Sequence, residues 1–233
     1  MDLFDCGSKE EWRRHMGGAG ITREEGNRAA EQLRRLPAYR EAKALFAAPG
    51  AELLQIRSNA LVDGKELLMP GPGLKEGFFL LRPYTVSFEE VAHAVTYKGL
   101  ARFGKRLDRR DIQGLGLDLL LTGAVAVDGC GGRLGDGHGF FDLAAAILHD
   151  SGAVPLGGLT LAVVAERQIV AGELPHEIWD VRVDGLVTPA GVKEINDGPT
   201  ARPTVRWESV PFKKVRKMTP LWQLYQELHP LPE

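Results

Sequence analysis

The chain has 233 residues, of which 44% are hydrophobic and 26% charged, a composition typical of a globular domain and not of a disordered segment. Its formal net charge of -2 excludes a general attraction to nucleic acid or anionic membranes, so any affinity for phosphate must be local. Two cysteines are too few for a disulfide framework or a zinc cluster. The absence of a signal-peptide pattern and of any run approaching ~18 apolar residues predicts a cytoplasmic protein without membrane partners.

Hydrophobic periodicity predicts helices that alternate with buried strands along the chain. Predicted helices lie at residues 24–36, 87–97, 141–152 and 222–228, and predicted strands at 43–48, 66–70, 77–83, 117–127, 158–165 and 183–189. This alternation predicts an α/β domain with a largely parallel sheet covered on both faces. After residue 191 proline and charge increase, so we predict one domain over 1–191 and a C-terminal appendage over 192–233.

The turn at residues 128–142, DGCGGRLGDGHGFFD, has the clearest chemical signal. Five of its glycines, at 131, 132, 135, 137 and 139, allow positive φ and close approach of a ligand, and the following helix would direct free N–H groups at an anion. Arg133 adds a permanent cation, and Asp142 has the charge that a phosphate-bound metal requires. The spacing matches neither a Walker A loop nor a Rossmann fingerprint. From the residues alone, a phosphate site and a purely structural loop both stay open.

Other candidate residues have equally open alternatives. Lys9 and Arg13 are four positions apart, so on a helix they would share a face and either clamp one triphosphate or face solvent. Asp180 is a metal ligand or an ordinary loop acid. The basic run at 213–217, with aromatic residues nearby, could contact RNA, although the slightly negative net charge favours a solvated tail.

The string at residues 133–142 resembles the motif R-L-G-[aromatic]-G-x-G-[YF]-[YF]-D of the 5-formyltetrahydrofolate cyclo-ligase family. The strand end V-A-V-D at 125–128 precedes it, as in the family. Near the N-terminus, Lys9-x-x-Trp12-Arg13 resembles the family's K-x-x-L-R. Residues 175–184, PHEIWDVRVD, resemble its late P-x-E-x-H-D-x-x-[LV]-D. The resemblance covers about residues 9–190, with the motifs in the expected order.

This resemblance implies a fold, a ligand set and a reaction. The implied fold is a Rossmann-like three-layer α/β/α sandwich with a mainly parallel central sheet. Arg133 and Lys65 would be catalytic, and Asp142 and Asp180 would hold Mg²⁺. The residues implied to bind ATP are Lys9, Arg13, Arg133, Leu134, Gly135, Asp136, Gly137, His138, Gly139, Phe140 and Phe141. In the implied reaction, ATP phosphorylates the formyl oxygen of 5-formyltetrahydrofolate, N10 closes the ring and phosphate leaves, giving 5,10-methenyltetrahydrofolate.

Residues 57–65, 102–105 and 122–127 resemble a divergent branch of the family, the cyclo-ligase-like and methenyltetrahydrofolate synthetase domain-containing proteins. Gln168 stands where the family has a glutamine. Glu52 is nearest to the family's folate-contacting glutamate but lies about two residues out of register. The branch therefore implies a second hypothesis, a nucleotide-binding or RNA-associated protein that does not cyclise folate.

Overall fold

The structure is a computed structural model that describes residues 7–195 and 202–229. No helix within these ranges is long and apolar enough to span a bilayer. The strands are β1 (Ala44–Ala47), β2 (Glu66–Pro70), β3 (Phe78–Leu81), β4 (Lys105–Leu107), β5 (Leu117–Gly123), β6 (Ala126–Val127), β7 (Arg133–Leu134), β8 (Leu159–Val163), β9 (Gly185–Val187) and β10 (Val192–Glu194). The helices are α1 (Lys9–His15), α2 (Arg23–Leu33), α3 (Pro37–Glu41), α4 (Leu54–Val62), α5 (Val91–Ala94), α6 (Tyr97–Phe103), α7 (Arg109–Ile112), α8 (Phe140–Asp150), α9 (Phe212–Val215) and α10 (Thr219–Leu228).

Eight of these strands form one sheet in the order β10-β9-β8-β5-β1-β2-β3-β4. The central strands β9, β8, β5, β1 and β2 run parallel, whereas β10, β3 and β4 pair antiparallel at the edges. Parallel neighbours need crossover connections, and α4 follows β1 while α8 lies between β5 and β8 in the chain. The predicted three-layer α/β/α sandwich with a mainly parallel sheet is confirmed.

Both faces of the central sheet are buried because the side chains of its middle strands alternate between two hydrophobic clusters. In β1, Ala44 and Phe46 pack in the cluster that contains residues of α8 and α10. Leu45 and Ala47 pack in the cluster that contains residues of α2 and α4. Burial on both sides explains why the strands appear in the sequence as continuous apolar runs without polar alternation.

Two predicted elements differ from the observed ones. The run at 117–127 is two strands, because β5 ends at Gly123 and β6 pairs with β7 in a separate two-stranded sheet. The helix predicted at 87–97 is also divided. The Thr96 hydroxyl accepts a hydrogen bond from the Gly99 amide and caps a new helix, α6, after α5 has ended.

The described part of the predicted appendage, 192–233, packs on the rest of the chain. Strand β10 extends the sheet by pairing with β9. Leu221 and Leu224 of α10 are buried in the same hydrophobic cluster as α8. Residues 196–201 and 230–233 of this range lie outside the described residues. The described segment 202–229 therefore contributes to the core on the α8 side of the sheet.

Arg57 in α4 is a buried cation, 3% exposed, that organises one end of the sheet. Its guanidinium donates to the carbonyl oxygens of Ala48, Gly50 and Val95 at 2.6, 2.8 and 3.0 Å. Burial lowers the pKa of Arg57 to about 10, while the Glu52 carboxylate acts in the opposite direction. The side chain thereby connects α4 to the loop after β1 and to the end of α5.

We expect Arg57→Met to lower the free energy of unfolding by about 3 kcal/mol, because buried carbonyl groups lose their donor. Urea unfolding followed by circular dichroism measures the change. Arg102→Met is a matched control, since the Arg102 side chain is 66% exposed and pairs with Glu90 at the surface. Its effect should stay within about 1 kcal/mol. Equal losses in both variants would contradict the structural role of Arg57.

Candidate functional site

The hairpin of β6 and β7 begins the glycine-rich turn, and a buried carboxylate shapes it. Asp128 follows β6 and is 3% exposed. Its Oδ1 accepts hydrogen bonds from the amides of Cys130 and Gly132 at 2.9 and 2.7 Å. Its Oδ2 accepts one from the Leu174 amide at 2.9 Å. Because three amides converge on one carboxylate, the turn is held in one conformation and Arg133 enters the site at a defined position.

Residues 135–139 lead into the amino end of α8. Gly137 and Gly139 have φ angles of 95° and 66°, in the left-handed region that L side chains rarely adopt. Gly139 is the N-cap of α8 and offers no side-chain acceptor to the first-turn amides. Such a helix start attracts anions, because its N–H groups lack intrahelical partners and the helix dipole is positive there.

A largely buried ion pair links β7 to α8. Nη2 of Arg133 donates to Oδ1 of Asp142 at 2.5 Å, and the two side chains are 4% and 14% exposed. The same oxygen accepts a hydrogen bond from the Val181 amide at 3.0 Å. The guanidinium also lies 4.8 Å from the Phe141 ring centre, a cation–π contact. Nε of Arg133 is buried without a hydrogen-bond partner among the described residues, which leaves a donor for a ligand.

Helix α1 brings two further cations to this loop. A capping box starts the helix, and Trp12 is buried against residues of β6 and β7. The Lys9 ammonium pairs with the Asp180 carboxylate. Nε of Arg13 donates to the carbonyl oxygen of Gly135 at 2.9 Å. Lys9 and Arg13 thus share a helix face, as their spacing predicts, and that face is directed at the glycine-rich loop.

These elements surround a cavity of about 470 Å³, which we call the loop cavity. Every residue predicted to bind the nucleotide lines it, and so do both predicted metal ligands. They are Lys9, Arg13, residues 133–141, Asp142 and Asp180. The tertiary structure therefore assembles three separate parts of the chain around one space.

Asp136 replaces an aromatic residue of the family motif, but its charge lies at the rim of the loop cavity. The side chain is 74% exposed and accepts a hydrogen bond from the His138 amide at 3.0 Å. The His138 ring stacks on Phe140 with ring centres 5.9 Å apart. Solvent screens an exposed carboxylate, so Asp136 shapes the loop without placing an unscreened negative charge inside it.

Asp142 and Asp180 are the two carboxylates that the sequence predicts as metal ligands. Both line the loop cavity, and the amide of Val181, next to Asp180 in the chain, donates to Asp142. The described residues contain no cluster of three or more His, Cys, Asp or Glu side chains suited to a metal. Mg²⁺ commonly binds one or two carboxylates together with phosphate oxygens and water. The donor set therefore fits a magnesium ion that binds together with a nucleotide.

A second cavity of about 510 Å³, the sheet-edge cavity, lies at the carboxyl ends of β1, β2 and β5. Ligands of parallel α/β sheets bind where neighbouring strands connect in opposite directions, as β1 and β5 do here. Gln168, 1% exposed, lines this cavity and donates to the Ala124 carbonyl oxygen at 2.6 Å. The residues that line both cavities are Arg133, Gly135, Asp136, Phe140 and Phe141.

Glu52 lines the sheet-edge cavity from the turn that precedes α4. A Cβ atom at either Gly50 or Gly123 would lie 2.0 Å from its Oε1, so the two glycines provide the space for this carboxylate. Tyr97 lines the same cavity, and burial raises the pKa of its phenol above the ordinary value. Glu52 thus reaches a ligand-sized cavity despite its shifted position in the sequence.

Lys65 lines neither cavity in the described structure. It lies just before β2 and is 6% exposed. Its ammonium donates to the carbonyl oxygens of Ala42 and Arg40 at 2.7 and 3.3 Å and lies 4.7 Å from the Tyr39 ring centre. The sheet-edge cavity lies at the opposite, carboxyl end of the parallel strands. These contacts give Lys65 a packing role, and they hold its ammonium away from both cavities.

Sequence reasoning missed several residues at the site. Asp128 stands at the start of the turn, where its acidic type alone gave no reason to expect three amide contacts. Arg206 and Lys214, from the segment beyond residue 191, line the loop cavity. The basic run at 213–217 was the one available signal for Lys214, and it equally predicted a solvated tail.

Comparison with known protein families identifies the family of this chain. The model of the 5-formyltetrahydrofolate cyclo-ligase family matches residues 9–189. The chain belongs to this family. The match includes α1, the glycine-rich loop and Asp180, so it confirms the resemblance seen in the motifs. The described segment 202–229 lies beyond the matched residues.

Individual relatives agree with this assignment. Methenyltetrahydrofolate synthase domain-containing protein from Mus musculus is 31% identical over 206 residues, covering 84% of this chain and 53% of that protein. The 5-formyltetrahydrofolate cyclo-ligase of Escherichia coli (strain K12) is 37% identical over 90 residues, covering 38% of this chain and 46% of that protein. The chain spans about half the length of the curated relatives it matches. The NMR structure of Aquifex aeolicus 5,10-methenyltetrahydrofolate synthetase is 25% identical, with a TM-score of 0.55, covering 87% of this chain and 99% of that one.

We expect Asp142→Asn to lower the free energy of unfolding by about 3 kcal/mol, because the guanidinium of Arg133 would stay desolvated without its counter-charge. Asp136→Asn is the matched control, since its side chain is 74% exposed. It should change stability by less than about 0.5 kcal/mol. Chemical unfolding of both variants measures the difference. An unchanged Asp142→Asn variant would show that the ion pair is not a structural contact.

Proposed function

We propose that this protein cyclises 5-formyltetrahydrofolate to 5,10-methenyltetrahydrofolate at the expense of ATP and with Mg²⁺. The observation that carries the proposal is the adjacency of two cavities whose shared wall contains Arg133. The loop cavity offers cations and helix amides, which suit phosphates. The sheet-edge cavity is lined by aromatic rings and by the Glu52 carboxylate, which suit a pterin. Family membership and the likeness to the Aquifex synthetase support the same reaction.

The loop cavity is the proposed ATP site. Lys9 and Arg13 approach from α1 and would contact the triphosphate, as would the amides at the start of α8. Arg133 borders both cavities, so it can neutralise the phosphoryl group during transfer from ATP to the second substrate. Asp142 holds the guanidinium in place for this role through the 2.5 Å contact.

The proposed reaction proceeds in two steps. The γ-phosphoryl group of ATP moves to the formyl oxygen, and ADP is released from it. N10 then attacks the formyl carbon and loses its proton, while phosphate leaves with the electrons of the carbon–oxygen bond. The chain contributes by orienting both substrates and placing positive charge near the transferred group. Mg²⁺, which Asp142 and Asp180 would hold, supplies further neutralisation of phosphate charge when bound.

Glu52 is the proposed pterin-binding residue. A pterin presents neighbouring N–H donors on one edge, and a carboxylate can accept two of them at once. The Glu52 carboxylate lines the sheet-edge cavity between Gly50 and Gly123. Arg57 holds the carbonyl oxygens of the adjoining loop, so the position of Glu52 depends on a buried structural cation.

The near-ultraviolet absorbance of methenyltetrahydrofolate tests the function directly. Purified protein mixed with 5-formyltetrahydrofolate, ATP and Mg²⁺ should produce absorbance that grows with time and requires ATP. A flat trace with ATP binding still detected by calorimetry would contradict cyclisation. That outcome would favour the second hypothesis, nucleotide binding without cyclisation; RNA association also stays a prediction.

We expect Arg13→Ala to raise the Kd for ATP about tenfold, because a charge-assisted contact with phosphate is lost. Arg14→Ala is the matched control: Arg14 is the next residue of α1, is exposed and does not line the loop cavity. Isothermal titration calorimetry measures both affinities. Equal effects of the two substitutions would point to general electrostatic attraction and contradict a specific contact by Arg13.

We expect Glu52→Gln to raise the KM for 5-formyltetrahydrofolate about tenfold or more while the Kd for ATP stays unchanged, because the lost carboxylate is on the pterin side. Glu41→Gln, at an exposed position of α3, is the control. Steady-state kinetics at saturating ATP give the KM, and calorimetry gives the ATP affinity. A change in the Kd for ATP without a change in the KM for 5-formyltetrahydrofolate would contradict the proposal that Glu52 binds the pterin.

A further inference from the structure

The loop cavity has a wall that the family match does not include. Matched residues end at 189, yet residues 204–206, 209–211 and Lys214 line this cavity. The wall comes from the segment 202–229, which we call the C-terminal segment. A chain without this segment would have a more open loop cavity.

The C-terminal segment is anchored to the domain on both sides of this wall. At its start, the Val205 amide donates to Oδ2 of Asp150, at the end of α8, at 2.8 Å. After it, the Thr219 amide donates to the Lys75 carbonyl oxygen at 3.0 Å. Leu221 and its neighbours on α10 are buried in the core. The residues between these anchors therefore have a defined position relative to α8.

Two cations of this wall have no recorded counter-charge among the described residues. Lys214 is half-buried in α9, and its ammonium lies 5.8 Å from the ring centre of Phe140, the first residue of α8. Arg206 is half-buried and also lines the loop cavity. In contrast, Lys9 and Arg133 are each paired with a carboxylate. Partly desolvated, unpaired cations are costly to keep unless an anion binds them.

The charges that line the loop cavity show what these cations contribute. In the matched part of the chain, Asp142 and Asp180 pair with Arg133 and Lys9, and these pairs offset two of the three cations that line the cavity. The other three carboxylates of the lining, Glu10, Asp136 and Glu177, are exposed, so solvent screens their charge. Arg206 and Lys214 raise the number of lining cations from three to five. The C-terminal segment thus adds positive charge that no ion pair among the described residues offsets.

We propose that the C-terminal segment completes the nucleotide site, and that Lys214 binds the phosphates of the nucleotide at the start of α8, with Arg206 beside it. The inference rests on the proposed function, since it assumes that ATP occupies the loop cavity. The Lys214 ammonium lies 5.8 Å from the ring centre of Phe140, at the start of α8 where the helix amides attract phosphates, so its expected contact is with the polyphosphate and not with the base. Arg206 adds charge to the same wall.

Isothermal titration calorimetry on the full chain with Mg²⁺ and ATP tests this inference. Lys214→Ala should raise the Kd about tenfold, as expected for loss of a charge-assisted phosphate contact. Lys213→Ala is the matched control, because Lys213 is the preceding residue of α9, is exposed and does not line the cavity. Lys214→Arg should restore most of the affinity. Thermal unfolding of each variant shows that the fold is intact.

The outcomes separate this inference from the proposed function. If wild-type protein binds ATP and Lys214→Ala binds it equally well, the role of the C-terminal segment is wrong and the ATP site stands. If Lys213→Ala and Lys214→Ala weaken binding equally, the effect is general electrostatics and the inference also fails. If wild-type protein does not bind ATP, both proposals fall. If Lys214→Ala loses affinity for ATP but not for AMP, the contact is with the β- and γ-phosphates, which supports the proposed contact with the polyphosphate.

Discussion

The ion pair between Arg133 and Asp142 is the contact on which the candidate site depends. It joins the β6–β7 hairpin to the first turn of α8, and the Val181 amide adds the segment that contains Asp180. Three distant parts of the chain therefore meet at one carboxylate. Breaking such a pair costs about 3–5 kcal/mol when one charge stays buried, so the contact that positions Arg133 also stabilises the domain.

The parallel sheet determines where the second cavity lies. Neighbouring strands β1 and β5 connect in opposite directions, and the loops at their carboxyl ends separate to leave a space. Glu52 enters this space because Gly50 and Gly123 have no side chains there. Arg57 holds the loop after β1 through hydrogen bonds to the carbonyl oxygens of Ala48 and Gly50. Arg57, a structural cation of α4, therefore helps to position Glu52, the proposed substrate contact in the turn before this helix.

Local charge, and not net charge, governs the proposed chemistry. The whole chain has a formal charge of -2, which gives no long-range attraction for ATP. Inside the loop cavity, however, cations from α1, β7 and the C-terminal segment face the start of α8. Charges in a partly desolvated cavity interact more strongly than charges in water. The same reasoning explains why the exposed Asp136 matters little to a phosphate ligand.

The sequence by itself determined the alternation of helices and strands, the glycine-rich loop and the shared helix face of Lys9 and Arg13, because each depends on residues close together in the chain. Tertiary structure alone decided which distant residues join them. The family resemblance implies a catalytic role for Lys65, yet its ammonium is bound to backbone carbonyl groups just before β2, at the end of the sheet opposite the sheet-edge cavity. The sequence placed Glu52 out of register and predicted a solvated tail for Lys214, whereas long-range packing brings both to cavities. Contacts between distant segments depend on the apolar surface that whole helices and strands bury together, and a short sequence motif contains no information about that surface.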